Sequence, residues 1–379
     1  MILVAKQTIP SFDLTKQYGI IEADIMAAVE RVLESGHYIL GPEVNAFENE
    51  LAGYLGVRHA IGVANGSDAL LLALMALGIQ PGDEVLLPTF TFFATAGAVA
   101  RLGAVPVFCD IDLNTFNLDP AELKKRLTVK TRAIIPVHLY GQVADMDAIM
   151  KFASQHGLSV IEDAAQAIGA AYQGKTVCNF GNIGCLSFYP TKNLGACGDA
   201  GMAVTNDDSL AENLRVLRTH GSKKKYHHDV LGFNSRLDEL QATILRVKLK
   251  HLDDWTAKRQ AIASFYDQAF SDARFGGKVI APKVATGNRH VYHQYTIRAE
   301  QREELITALA AKGIGSTVYY PLCLHLQPVF AHLGGRPGDC PQAEKATETA
   351  LSLPMYPELD QANQRLITEA IRAFIQEQH

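Results

Sequence analysis

Short apolar runs alternate with helical stretches from residue 59 to residue 205, and this alternation constrains the fold more than any other feature of the 379-residue chain. HAIGVA (59–64) reads as a strand, and Ser67 suits the N-cap of a helix that runs through DALLLALMA and closes at Gly78. EVLLP (84–88) reads as a strand, 94–102 as a helix and 105–109 as a strand. AIIPVH (133–138), SVIE (159–162), GCLSFY (184–189) and MAVT (202–205) continue the series. Strands separated by helices predict a mostly parallel sheet covered on both faces, with ligands gathered beyond the C-terminal strand ends. From Leu237 the pattern becomes one long helix through Phe270, followed by a strand at 292–297 and a helix at 303–312 closed by Gly313. The expected fold class is α/β, with a large sheet domain over 1–250 and a smaller C-terminal α+β domain over 251–379.

Composition narrows the function. A hydrophobic fraction of 48% is ample for a sizeable core, and a net charge of -5 gives no basic excess for nucleic acid or an anionic membrane surface. The start of the chain lacks the basic region and long apolar run of a secretory signal, and the longest apolar stretch, Ala69 to Leu77, is too short to cross a bilayer. The six cysteines show no CxxC spacing, so free thiols in a cytoplasmic protein are expected, with no metal site. His227 and His228 are adjacent and lack other ligand types nearby.

Four segments carry chemistry. In GCLSFYPTKNLGACGDAG (184–201), a strand end leads to Lys192, and small residues then let backbone approach a ligand closely. A confined lysine there suits Schiff-base chemistry, whereas in isolation a surface lysine on a glycine-rich loop explains it equally well. In VIEDAAQAIGA (160–170), Asp163 ends an apolar strand, where a carboxylate can hold a cationic ring nitrogen protonated; the competing role is a helix cap. Gln166, three residues on, can donate to a phenolic oxygen. In VANGSDALLLAL, Gly66 and Ser67 open a helix whose free N–H groups favour a phosphate, although such turns are common. In LLPTFTFFATA (86–96), one of three phenylalanines can stack on a flat ring while packing accounts for the others. The order and spacing of phosphate cradle, aromatic shelf, acid and lysine match pyridoxal phosphate (PLP) enzymes. No GxGxxG follows an early strand, which sets aside a nicotinamide enzyme.

Together with IPSFDLTKQY (9–18), HYILGPEVNAFE (37–48), HLYGQVADM (138–146) and GFNSRLDELQA (232–242), these segments resemble the DegT/DnrJ/EryC1/StrS sugar aminotransferase family, of PLP-dependent transferase fold type I, nearly end to end. The resemblance implies that Lys192 bonds the cofactor as a Schiff base and moves protons, that Asp163 holds the ring nitrogen and Gln166 the phenolic oxygen, that Phe92 stacks on the ring, and that Gly66, Ser67 and Ser187 bind the phosphate. It implies that Asn234 reaches the phosphate in a neighbouring subunit, so that a homodimer shares its sites. Ala200 departs from the glycine expected at its position. The reaction implied passes nitrogen from glutamate, by way of pyridoxamine phosphate (PMP), to a keto-sugar carried on a nucleoside diphosphate.

RTHGSKKKYHHDVLGFNSRLDELQA (218–242) resembles the branch that aminates 3-keto sugars more than the 4-keto branch. Tyr320 and His325, in YYPLCLHLQP, are candidates for sugar contacts, and Lys223, Lys224 and Lys225 for the diphosphate, against the plainer reading of a solvated loop. Two alternatives remain. A sugar dehydratase of the same family carries histidine in place of the lysine, which Lys192 opposes. A non-catalytic regulator on the same fold has no need of Lys192, Asp163 and Gln166 together.

Overall fold

The computed structural model describes residues 8–272, 275 and 277–377. Seven strands form the main sheet: β1 (His59–Val63), β2 (Glu84–Pro88), β3 (Val105–Cys109), β4 (Thr131–Ile134), β5 (Ser159–Asp163), β6 (Ile183–Ser187) and β7 (Gly201–Thr205), in the spatial order β1-β7-β6-β5-β4-β2-β3. Only β7 runs against the others, so the sheet is mostly parallel, as the alternation predicts. The fourth strand stops at Ile134 rather than 138, because Pro136 has no N–H to continue a ladder.

Successive residues face opposite sides of a strand, and both sides are buried. Ile134, Val160, Leu186 and Met202 enter one core with helices α2 (Pro42–Leu55) and α6 (Met146–His156). Ala133, Ile161, Cys185 and Ala203 enter the other with α3 (Gly66–Ala76), α4 (Ala94–Arg101) and α7 (Asp208–Leu217). The remaining helices of this part are α1 (Leu14–Ser35) and α5 (Pro120–Arg126).

The long helix expected from Leu237 is two: α8 (Glu239–Leu249) and α9 (Leu252–Phe270), parted at Lys250–His251. The sequence there has neither glycine nor proline to mark the break. Ala242 and Leu245 of α8 belong to the core beneath the large sheet, whereas Ile262, Tyr266 and Phe270 of α9 belong to a third core. That core is built on the strands β8 (Val279–Ile280), β9 (Tyr295–Ala299) and β10 (Ala350–Leu353) and the helices α10 (Arg302–Ala311) and α12 (Gln361–Glu377), with α11 (Pro341–Thr349) leading into β10. Ile9 also joins it: its N–H donates to Gly313 O (2.8 Å) and its carbonyl accepts from Gly315 N (2.7 Å). The segment ahead of α1 therefore packs on the C-terminal part of the chain.

Two buried carboxylates hold distant segments in place. Glu239, 1% exposed, accepts from the N–H groups of Gly41 (2.7 Å), Glu43 (2.8 Å) and Val44 (2.9 Å). Helix α2 has glycine at its N-cap and no cap of its own, so a side chain nearly 200 residues away satisfies its free donors. Glu162, on β5, accepts from Cys178 N (2.8 Å), Phe180 N (2.7 Å) and Gly181 N (2.8 Å), and from His138 Nε2 (3.0 Å). His138 Nδ1 accepts from Ala144 N (3.1 Å), which places the ring proton on Nε2, facing Glu162.

Replacing Glu239 with Ala leaves three N–H donors at the start of α2 unpaired. The expected cost is about 3 kcal/mol, since hydrogen bonds to a charged acceptor are worth roughly 1.5–3 kcal/mol each and water recovers part of the loss. A fall in the urea midpoint at constant m-value measures it; an unchanged midpoint contradicts the capping role.

Candidate active site

The C-terminal ends of β1, β5 and β6 converge, together with the start of the reversed strand β7. The approach is close enough that glycine is required. A Cβ on Gly66 would lie 2.6 Å from Ser187 Cβ, and one on Gly201 would lie 2.4 Å from the carbonyl carbon of Asn65. Helix α3 begins here. Its N-cap is Asn65 rather than the expected Ser67: Asn65 is extended and its side chain accepts from Asp68 N (2.8 Å). That cap leaves the N–H groups of Gly66 and Ser67 with no acceptor among the described residues. Two free donors, the Ser67 hydroxyl and the half-buried Ser187 hydroxyl form an anion cradle at a helix N-terminus.

Asp163 ends β5 and is 5% exposed. Its Oδ2 accepts from Thr95 Oγ1 (2.8 Å) and its Oδ1 from Ala165 N (3.2 Å). The second contact closes a turn, not a helix, so the capping alternative does not account for the residue. Burial raises its carboxyl above the usual range, opposed by Thr95, Ala165 and the charge of Lys192. Thr95 in turn contacts Thr91 Oγ1 (3.2 Å), so the first turn of α4 fixes the carboxylate's orientation. Sequence reasoning missed both threonines, although their i, i+4 spacing beside the aromatic run was visible.

Lys192 sits on a tight loop: its N–H donates to Tyr189 O (2.8 Å), and a Cβ on Gly195 would lie 2.2 Å from Pro190 O. Burial lowers its amine to about 8, against the opposing pull of Asp163. Asn193 anchors the loop from below, donating to Val291 O (3.0 Å) and meeting His293 Nδ1 (3.1 Å). Ala200 is buried behind the loop, and its carbonyl accepts from Phe188 N (2.8 Å).

Gln166 has a defined amide orientation. Its Oε1 accepts from Tyr140 N (2.8 Å), which turns its NH₂ outward, where it donates to Tyr320 OH (3.1 Å). Tyr320 is thus brought to the group. Among the phenylalanines, Phe90 is buried against Phe116 and Phe93 stacks on Phe330, while Phe92 is 58% exposed with its ring centroid 6.3 Å from Tyr320.

His325 is not brought to the group. It is 3% exposed, its Nδ1 lies 2.7 Å from Thr89 Oγ1, and its Nε2 faces Glu344 at 3.3 Å. Asn234 is exposed on the segment after α7, in a bridge with Thr219. Lys223 and Lys224 lie on an exposed hairpin with His227 and His228, and Lys225 is exposed at its turn. No cluster of metal-ligating side chains occurs among the described residues.

The model of the DegT/DnrJ/EryC1/StrS aminotransferase family matches residues 19–372. The chain is 56% identical to the "Pleiotropic regulatory protein" of Geobacillus stearothermophilus, covering 97% of this chain and 98% of that one. It is 48% identical to the UDP-N-acetyl-3-dehydro-alpha-D-glucosamine 3-aminotransferase of Acidithiobacillus ferrooxidans, covering 96% and 97%. The crystal structure of DesV from S. venezuelae in complex with a ketimine intermediate superposes with a TM-score of 0.95 at 44% identity, covering 97% of this chain and 98% of that one. Other similar solved structures hold PMP.

The residues present fit PLP. An anion cradle, an exposed aromatic face, a buried carboxylate and an amine of lowered basicity lie on neighbouring strand ends. A lysine near 8 is mostly protonated at pH 7 and mostly neutral at pH 9. Labelling of Lys192 in the cofactor-free protein by PLP, trapped with borohydride, is expected to rise about tenfold over that interval. Asp163→Asn removes the charge that raises the amine, so the midpoint shifts to lower pH. Peptide mass mapping reads the labelling, and a flat profile contradicts the assignment.

Proposed function

The chain belongs to the DegT/DnrJ/EryC1/StrS aminotransferase family, and from that premise we propose that it transfers an amino group from glutamate to the C3 keto group of a nucleoside-diphosphate sugar. Family membership makes it a PLP-dependent aminotransferase; the donor, the carbon and the residue roles are the proposal. The observation that carries it is the pairing of a buried carboxylate, Asp163, with a lowered-basicity lysine, Lys192, beside an anion cradle at the helix start.

When bound, the cofactor supplies a carbonyl for nitrogen and a conjugated ring that spreads the electron pair released at the substrate carbon. Gly66, Ser67 and Ser187 hold its phosphate, and Phe92 offers a ring face. Asp163, buried and oriented by Thr95, holds a proton on the ring nitrogen. Gln166, its amide fixed by Tyr140 N, donates to the phenolic oxygen. Lys192 is the group that accepts and returns protons, and an amine near 8 exchanges them readily near neutral pH. Tyr320 lies at the edge of this group on Gln166 and suits a sugar hydroxyl; His325 joins the substrate reading only through Thr89 and the strand end it follows.

The C3 assignment draws on the 3-aminotransferase named above and on the 218–242 segment. We also read the protein as a homodimer. Ile20, Met26 and Leu33 on α1, Tyr38 and Ile39, and Tyr226, Val230 and Leu231 are large apolar side chains left exposed, which a second subunit would cover. In this reading Asn234 serves the partner's phosphate cradle, the division at residue 250 separates the two units of each protomer, and the six free cysteines suit the cytoplasm.

The holoenzyme's absorbance is expected to bleach on adding glutamate, and a panel of 3-keto and 4-keto nucleotide sugars to yield an amine by product mass with the 3-keto members. Lys192→Ala is expected to lower turnover by about 10³-fold or more. Amination of the 4-keto members alone overturns the carbon assignment. The regulatory name of one relative favours a second reading, in which Lys192→Ala preserves the biological effect while abolishing turnover.

A further inference from the structure

The HLYGQVADM segment supplies more to the site than the backbone N–H of Tyr140. Tyr140 is 3% exposed and sits in the left-handed region, with φ 58° and ψ 1°. A bulky residue is uncommon there and persists only when its surroundings hold it. Here backbone bonds do so. Its N–H donates to Gln166 Oε1 (2.8 Å), its carbonyl accepts from Gln294 N (3.3 Å), and the carbonyl of Gly141 accepts from Val291 N (3.0 Å). Glycine is required at 141, where φ is 105° and a Cβ would lie 3.0 Å from both Tyr292 N and His293 N. The turn is thus pinned between the segment after β5 and the C-terminal part of the chain.

The side chain of Tyr140 continues the connection. Its hydroxyl donates to the carbonyl of Tyr319. Its ring meets Phe116 edge to face at 5.3 Å, Phe116 stacks on Phe90 at 6.0 Å, and Phe90 meets the ring of Tyr320 edge to face, also at 6.0 Å. Gln166 closes the circuit by donating to Tyr320 Oη (3.1 Å). Tyr320 is therefore held through its hydroxyl, through its ring and through the carbonyl of the residue before it. Tyr140 stands at the far end of all three.

The direction of each bond decides what Tyr320 can do. Gln166 Oε1 is taken by Tyr140 N, so the amide turns its NH₂ to Tyr320, and Tyr320 Oη is the acceptor. A phenol that accepts still has its own proton to give, and Tyr320 gives it to none of the described residues. Burial pushes the Tyr320 hydroxyl's pKa up, so it stays protonated at neutral pH. The amide carries two protons, and the one not on Tyr320 is available to the cofactor's phenolic oxygen.

We propose that Tyr140 is a positioning residue for the sugar half of the reaction, fixing Tyr320 so that its free hydroxyl proton is directed at an oxygen of the keto-sugar. The inference rests on the nucleotide-sugar reading above. Tyr320 and the exposed Phe92, with ring centroids 6.3 Å apart, form the edge that a large substrate meets. A small amino donor makes less use of that edge.

Tyr140→Phe removes the hydroxyl and keeps the backbone N–H that orients Gln166. In the holoenzyme followed by stopped flow, the reaction with glutamate is expected to change less than about twofold. In the same variant kcat/KM for the keto-sugar is expected to fall about tenfold, the order of one lost, partly buried hydrogen bond. Tyr320→Phe is expected to give the same split, and the double variant to be no worse than Tyr320→Phe alone, because Tyr140 acts through Tyr320. Phe116→Leu loosens the ring contact without touching a polar group, and gives the same split if Tyr140→Phe does not fold. Calorimetry on the cofactor-free protein uses UDP-N-acetylglucosamine and dTDP-glucose, whose C3 hydroxyls cannot be aminated. The Kd of the tighter of the two is expected to rise in parallel. An equal fall in both half-reactions, losses that add in the double variant, or an unchanged kcat/KM and Kd overturns the inference alone. A wild-type holoenzyme that takes nitrogen from glutamate and passes it to no keto nucleotide sugar overturns the reading beneath it.

Discussion

Two neighbouring carboxylates on β5 are buried, and the strand sends them to opposite sides of the sheet. Glu162 points back into the protein, where three backbone N–H groups and His138 absorb its charge. Asp163 points to the site, where two protein donors leave part of its charge unspent. The first is a closed account; the second is held open by the same strand. If β5 slipped by one residue, each carboxylate would turn to the other side of the sheet, and register is therefore as much a functional constraint here as a packing one. The parallel pairing to β4 and β6 and the burial of both faces enforce it.

Around that strand the site assembles from pieces that cannot approach one another with larger residues. Gly66 touches Ser187, Gly201 touches Asn65, and Gly195 folds onto Pro190. The C-terminal part of the chain closes the far side: Val291 and His293 grip Asn193, and Tyr320 reaches Gln166. The lysine loop is thus clamped between two cores, which favours a single orientation of its amine.

The strands, the main helices and the lysine–acid pair were legible because each depends on local pattern: apolar runs, glycine-rich turns and residue spacing. What escaped was long-range. Asn65 displaces Ser67 as the cap because the turn geometry after β1, not the residue preference alone, selects the position. The break at Lys250–His251 follows from α8 and α9 serving different cores, which no local residue announces. Thr95 acquires its role only when α4 comes to rest over β5. His325 resembled a site residue by sequence neighbourhood, yet its Nδ1 is taken by Thr89, more than 200 positions away, and its buried Nε2 faces Glu344 rather than the site.

The cap on α2 bears on how the chain is made. Its three orphan N–H groups wait for a carboxylate 198 residues downstream of Gly41. At about 5–20 residues per second of synthesis, that is on the order of 10–40 s before the acceptor exists. Strand β1 waits in the same way, since its one ladder partner among the described residues is β7, at 201–205. During translation the first quarter of the chain therefore emerges with an uncapped helix and an unpaired strand edge, and it gains its native hydrogen bonds only when the middle of the chain leaves the ribosome. For that interval the segment presents free N–H donors and an open strand edge, the features that invite non-native pairing.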